Sequence, residues 1–189
     1  MEAKQLLDYF QNQQDSTIEN IREIVEIESP SYNINGNKSV VDLIEVWVNE
    51  VFPDASAERV FNAEYGEHII IRAFRGIDKK PILLLGHTDT VHPLGSTNHN
   101  PTRIEDGKLY GCGTFDMKAN IALMFEVFRA FKKFHLSPKH PINILLACDE
   151  EVGSETGREL VEREAKKCAY CLVFEPSAEG KVKTGRKGT

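Results

Sequence analysis

Residues 82–93 read ILLLGHTDTVHP, an apolar run that stops at Gly86 and then presents His87 and Asp89 two positions apart. Two readings are open for such a stretch. A buried strand can leave the core through a polar turn, or a strand end can carry an imidazole and a carboxylate to one place. Alternate residues of an extended chain face the same way, about 6 to 7 Å apart, so both groups can serve one site. The choice depends on the rest of the chain.

The same design recurs twice. PINILLACDEE (141–151) is an apolar run ending in Asp149, Glu150 and Glu151, and CLVFEP (171–176) ends in Glu175. Consecutive apolar residues mark strands covered on both faces, as in a parallel sheet flanked by helices. Helical spacing predicts those helices. MKANIALMFEVFRAFKKF (117–134) carries Met117, Ile121, Met124, Phe128 and Phe131 on one stripe, and SETGRELVEREAKK (154–167) forms a shorter helix after Ser154. Residues 2–28 read as helix with a break: Ile18, Ile21, Val25 and Glu28 share a face that Ile24 and Ile27 widen, and ESPS (28–31) ends it. A further helix covers 37–52 through Val40, Ile44, Trp47 and Val51, stopped by the FPD of 52–54. ERVFNAEYGEHIIIRAF (58–74) is a pair of strands around a Tyr65-Gly66 turn. The fold class that follows is α/β, a three-layer αβα sandwich with a largely parallel central sheet.

A chain of 189 residues suits one domain able to bury a real core. Its composition, 41% hydrophobic and 28% charged, is that of a soluble globular protein. A formal charge of −6 argues against a nucleic-acid partner and suits cation binding. No apolar run approaches the roughly 20 residues of a membrane span, and the polar start MEAKQLLDYFQNQQ lacks the apolar centre of a secretory signal. Four cysteines make no disulfide framework, so a reducing cytoplasm is the expected compartment. Cys168 and Cys171 form a C-x-x-C pair, but no second pair or histidines follow to complete a structural zinc site. The pair opens a strand, whereas a redox pair starts a helix, so both read as small buried or half-buried residues.

In open α/β sheets, ligands bind beyond the carboxyl ends of the strands. All three apolar runs deliver His, Asp or Glu to that edge. Bunched carboxylates repel one another, and either protons or a cation must relieve them. A fourth segment, GCGTFDMKAN (111–120), sets Asp116 just ahead of the long helix, where capping the helix is the plain alternative to a role in a site. Gly111 and Gly113 let its backbone turn sharply. This is no nucleotide-binding glycine loop, because a carboxylate at its sixth position would repel phosphate. No G-x-S-x-G elbow is present, and no cysteine sits beside a base as a nucleophile.

GHTDTVHP, GCGTFDMK, DEEVGS and VFEPS, in that order, resemble the dinuclear zinc amidohydrolases of the M20 metallopeptidase family, over the chain from about Ile24 onward. That family includes glutamate carboxypeptidases, aminoacylases, acetylornithine deacetylases and succinyl-diaminopimelate desuccinylases. The resemblance implies that His87, Asp116 and Glu175 hold one zinc, that Asp116 bridges to a second, and that Glu151 binds that second ion. It implies Glu150 as the general base and Asp89 as the carboxylate that orients His87. Imidazole nitrogen and carboxylate oxygen are ordinary zinc donors, and a mixed set of this kind also admits cobalt or manganese.

The resemblance further implies that residues 1–176 are the N-terminal part of a catalytic domain and that 177–189, with TGRKG at 184–188, begins the connection to a smaller lid domain. That domain allows a homodimer, and the returning chain supplies the second zinc with a histidine. His92, His99, His135 and His140 look like loop or helix-end residues rather than substitutes for it. The implied substrates are small peptides or N-acyl amino acids, with a lean towards carboxypeptidase-like release of a C-terminal residue such as glutamate. A metal-binding fragment without turnover is the reading of a different class.

Overall fold

The structure, a computed structural model, describes residues 2–52, 54–177 and 179–185. The first helical stretch is two helices, α1 (Ala3–Asn12) and α2 (Gln14–Glu26), meeting at Gln13. Helix α1 buries no residue, while α2 buries Ile21, Ile24 and Val25. Glu28 does not share their apolar face. It lies beyond the helix, and its carboxylate accepts the N–H groups of Gly95 (2.8 Å) and Thr97 (2.9 Å). Helix α3 (Ile34–Val51) starts ahead of the expected residue 37, because the Asn33 side chain accepts the Gly36 N–H and caps it. Of the segment expected to stop it, Pro53 lies outside the described residues.

Strands β1 (Ser56–Asn62) and β2 (Gly66–Ala73) form the expected hairpin, followed by β3 (Ile82–His87). A small separate hairpin, β4 (Arg103–Glu105) with β5 (Lys108–Tyr110), was not foreseen from periodicity. Then come α4 (Ala119–Lys133), β6 (Ile142–Ala147), α5 (Gly157–Ala165) and β7 (Tyr170–Val173). The main sheet runs β1-β2-β6-β3-β7. The three strands expected to be parallel are so: β3 pairs in parallel with both β6 and β7. The hairpin joins antiparallel through β2 and β6, so the sheet is mixed.

Alternation along the strands builds two cores. Ile69, Ile71, Leu84, Ile144 and Leu146 face α2, α3 and α4, where Trp47 packs against Phe125 with ring centroids 5.5 Å apart. Ile70, Leu83 and Leu145 face the other way, onto Leu160 of α5. The sandwich is therefore thick on one side and thin on the other. Strand β7 departs from expectation. It lies at the sheet edge with Tyr170, Leu172 and Val173 about half exposed, so its apolar run is not covered on both faces. Cys168 is half-buried, but Cys171 on this strand is exposed. Residues 181–185 are exposed, and the rest of the TGRKG stretch lies outside the described residues.

Gly86 answers the question raised by the opening stretch. A Cβ there would sit 2.5 Å from Cε and 2.9 Å from Sδ of Met117. The missing side chain lets Met117 lie across the strand end, where its sulfur accepts the His87 N–H at 3.2 Å. That contact docks the Thr114–Lys118 turn against β3. Gly86→Ala is expected to cost about 1–3 kcal/mol through overpacking. In a double-mutant cycle with Met117→Ala the cost should shrink, since the obstructing side chain is gone. Chemical denaturation of the four proteins checks this; strict additivity would refute the contact.

Candidate metal centre

Four segments distant in sequence meet at the carboxyl edge of β3, β6 and β7. His87 is the last residue of β3, paired with Ala147 at the end of β6. Glu150 and Glu151 occupy a short helical turn just after β6, and Glu175 follows β7. Asp116 comes from the Thr114–Lys118 turn, entered through Gly113 at φ +74°, where a Cβ would meet Thr90 at 2.5 Å. The plain alternative for Asp116 fails. Helix α4 starts at Ala119 without any side-chain cap, and Asp116 turns to the imidazole instead.

His87 is the centre of the cluster, and it is 1% exposed. Its Nε2 lies 3.1 Å from Asp116 Oδ1 and 3.5 Å from Glu175 Oε1. Donor atoms of His87, Glu150 and Glu175 fall within 4.8 Å of one another, and so do those of His87, Asp116 and Glu151. The structure thus brings together all six residues singled out from sequence, with Asp89 on the far side of the ring. His87 Nδ1 is 3.3 Å from Asp89 Oδ1 and 3.0 Å from the Asp89 carbonyl oxygen, so Nδ1 donates to Asp89 and Nε2 faces the other carboxylates.

Asp89 itself is buried and gathers more than the ring. It accepts the hydroxyl of Ser31 (2.7 Å) and the N–H groups of Glu150 (3.2 Å) and Glu151 (3.1 Å). Burial alone would raise its pKa, but the hydrogen bonds from His87, Ser31 and the Glu151 amide win and hold it below the ordinary range. Burial also disfavours a charged His87, yet the field of Asp89, reinforced by Glu175 and Glu150, lifts its pKa to about 9. Burial, then Asp116 and Glu150, push Glu175 up to about 7 against the pull of His87, and burial raises Glu151 as well. Crowding of this kind is what protons or a cation relieve.

Sequence reasoning missed part of the scaffold. ESPS reads as a helix breaker, but Ser29 and Ser31 clamp the strand end: the Ser29 hydroxyl donates to the Thr88 carbonyl at 2.7 Å, and the Ser29 main-chain carbonyl accepts the Thr90 N–H at 3.0 Å. Serine flanking proline carries no chemical signal that would have marked this role. Lys118 is also buried, donating to the Ile27 carbonyl, and burial lowers its pKa to about 7. Asp149, counted from sequence with the strand-end carboxylates, turns away and caps α5 through the N–H groups of Thr156 (2.6 Å) and Gly157 (3.1 Å). Among the described residues, the cation-sized groupings include no histidine besides His87. No helix among the described residues is long and apolar enough to cross a membrane.

Comparison with known proteins places the chain among relatives. Carboxypeptidase G2 of Pseudomonas sp. (strain RS-16) is 28% identical over 179 residues, spanning 94% of this chain and 43% of that protein. Succinyl-diaminopimelate desuccinylase of Vesicomyosocius okutanii subsp. Calyptogena okutanii is 35% identical over 143 residues, 69% of this chain and 38% of that one. The chain therefore spans less than half the length of these relatives. In fold it is similar to human carnosine dipeptidase 1, with a TM-score of 0.78 and 20% identity over 90% of this chain and 40% of that structure. The sequence profile of peptidase family M20/M25/M40 matches residues 83–186, from β3 through the last of the four clustered segments, and the chain belongs to that family.

Proposed function

We propose that this chain carries the greater part of a zinc-dependent active site that hydrolyses an amide bond in a small peptide or N-acyl amino acid. The observation that carries the proposal is the convergence of His87, Asp116, Glu150, Glu151 and Glu175 on one strand edge, too crowded with carboxylates to be fully ionised without a cation. The donor set fits zinc, with one imidazole whose Nε2 points at oxygen donors and whose Nδ1 is held by a carboxylate. Cobalt and manganese suit the same donors. His87, Asp116 and Glu175 would hold one ion, with Asp116 shared and Glu151 assigned to a second. Bound there, such an ion supplies a Lewis acid for the amide carbonyl and lowers the pKa of water.

The remaining work falls to the chain's own groups. Glu150 takes a proton from the attacking water and returns it to the leaving nitrogen, as a general base and then acid. Asp89 fixes the His87 ring and, through the two amides it accepts, the placement of Glu150 relative to Glu151. Residues 1–176 act as the N-terminal part of the catalytic domain. The similarity to carboxypeptidase G2 across nearly the whole chain favours release of a C-terminal residue such as glutamate. Deacylation of an N-acyl amino acid is the second reading, favoured by the identity to the desuccinylase.

Two outcomes follow. In a form of the protein that turns over small amides, Glu150→Gln should lower kcat by about 10²–10⁴ with zinc content near normal. Glu151→Gln should instead lower occupancy of the second ion. Kinetics with metal analysis of both variants decides the matter, and equal metal loss would contradict the division of roles. Separately, calorimetric titration of the 189-residue chain with zinc should find at most one tight site, because the two groupings share His87, and assigning it to the first ion leaves the second with Glu151 and the shared Asp116 among the described residues. Two tight sites would overturn the donor assignment.

A further inference from the structure

A buried polar chain lies behind the turn that carries Glu150 and Glu151. His68, on β2, is 1% exposed, and Asp149 is fully buried. The Cys148 main-chain N–H points at His68 Nδ1, 3.2 Å away. That nitrogen must therefore accept, and the ring proton sits on Nε2, which donates to Thr156 Oγ1 at 2.8 Å. The Thr156 hydroxyl in turn donates a hydrogen bond to Asp149 Oδ2, also at 2.8 Å. The direction of every hydrogen bond is set by that single backbone amide.

The chain ties three elements around the turn: β2, the end of β6, and the first residues of α5. Cys148 and Asp149 lie immediately before Glu150, and Thr156 and Gly157 lie after Glu151. The Asp149 carbonyl accepts the Ser154 N–H at 2.8 Å and closes the loop. Gly157 permits the close approach, since a Cβ there would sit 2.7 Å from Asp149 Oδ1. From the opposite side Asp89 takes the amides of Glu150 and Glu151. The turn is thus gripped by two buried carboxylates, one in the cluster and one behind it. His68, Thr156 and Asp149 do not belong to the groups around His87. Burial lowers the His68 pKa below its ordinary value, against the opposing fields of Asp149 and Asp89.

We propose that His68 and Thr156 are positioning residues, which act through Asp149 to hold the Glu150–Glu151 turn in register with His87. The inference deepens the proposed function and rests on it for what Glu150 and Glu151 do, but the rigidity of the turn can be measured without any metal.

The test compares Thr156→Val, which keeps the shape and the backbone cap but removes the hydroxyl, with Thr156→Ser, which restores it. Amide hydrogen exchange by NMR in the metal-free chain should show Glu150 and Glu151 exchanging about tenfold faster in the valine variant, with the β6 core amides unchanged and the serine variant within about twofold of the parent. No change at Glu150 and Glu151, or uniform acceleration across the sheet in the valine variant, would overturn the proposal. Should the valine variant not fold, imidazole nitrogen shifts of the unaltered chain decide: proton on Nε2 of His68 is required, and proton on Nδ1 refutes the relay. Titration with cobalt(II) separates this proposal from the metal reading. Weakening by valine but not by serine supports both, whereas an unaltered chain that binds no cobalt refutes the metal reading and leaves the exchange result to decide the positioning role.

Discussion

The Asp89 carboxylate is the constraint on which the site depends. Its two oxygens receive a serine hydroxyl from the connection between α2 and α3, two main-chain amides from the turn after β6, and the imidazole of its own strand end. Hydrogen bonds to a charged acceptor contribute about 1.5–3 kcal/mol each when buried, so one side chain ties together three segments distant in sequence. The imidazole is oriented by the same group that places the two glutamates. Orientation of the ring and placement of the acids are therefore not separable properties of this fold.

Packing and charge press in opposite directions at this edge. The parallel pairing of β3 with β6 and β7 forces His87, the Glu150–Glu151 turn and Glu175 to one side, since parallel strands end together. Met117 lying over Gly86 then brings Asp116 in from the helix side. Nothing in hydrophobic burial favours such a gathering of acids. The fold tolerates it because the cores on the two faces, built on Ile69, Ile71, Ile144 and Leu146 on one side and Ile70, Leu83 and Leu145 on the other, are complete without those residues.

Much of this was legible in the sequence, for identifiable reasons. The apolar runs at 82–85 and 142–147 differ from solvated strands because both faces are covered, which places apolar residues at consecutive positions, with Asn143 the one polar residue among them. The clustered residues were legible because four short segments end such runs or precede the long helix. Less legible were features that depend on long-range geometry. β7, YCLV, reads as an apolar run like the start of β3 but sits at an edge, and composition does not record the missing neighbour. The capping reading of Asp116 was locally sound and lost to the pull of His87. Ser31, His68 and Thr156 act through partners 58, 80 and 7 residues away, and no spacing rule reaches them.

The central claim is that the His87 edge is built to hold a cation through His87, Asp116 and Glu175. Anomalous diffraction at the zinc absorption edge, from crystals of the chain grown with zinc, tests it by location rather than by count. The account predicts a strong peak bounded by His87 Nε2 and the carboxylates of Asp116 and Glu175. A dominant peak elsewhere on the molecule, or none at this edge in well-ordered crystals, would contradict it.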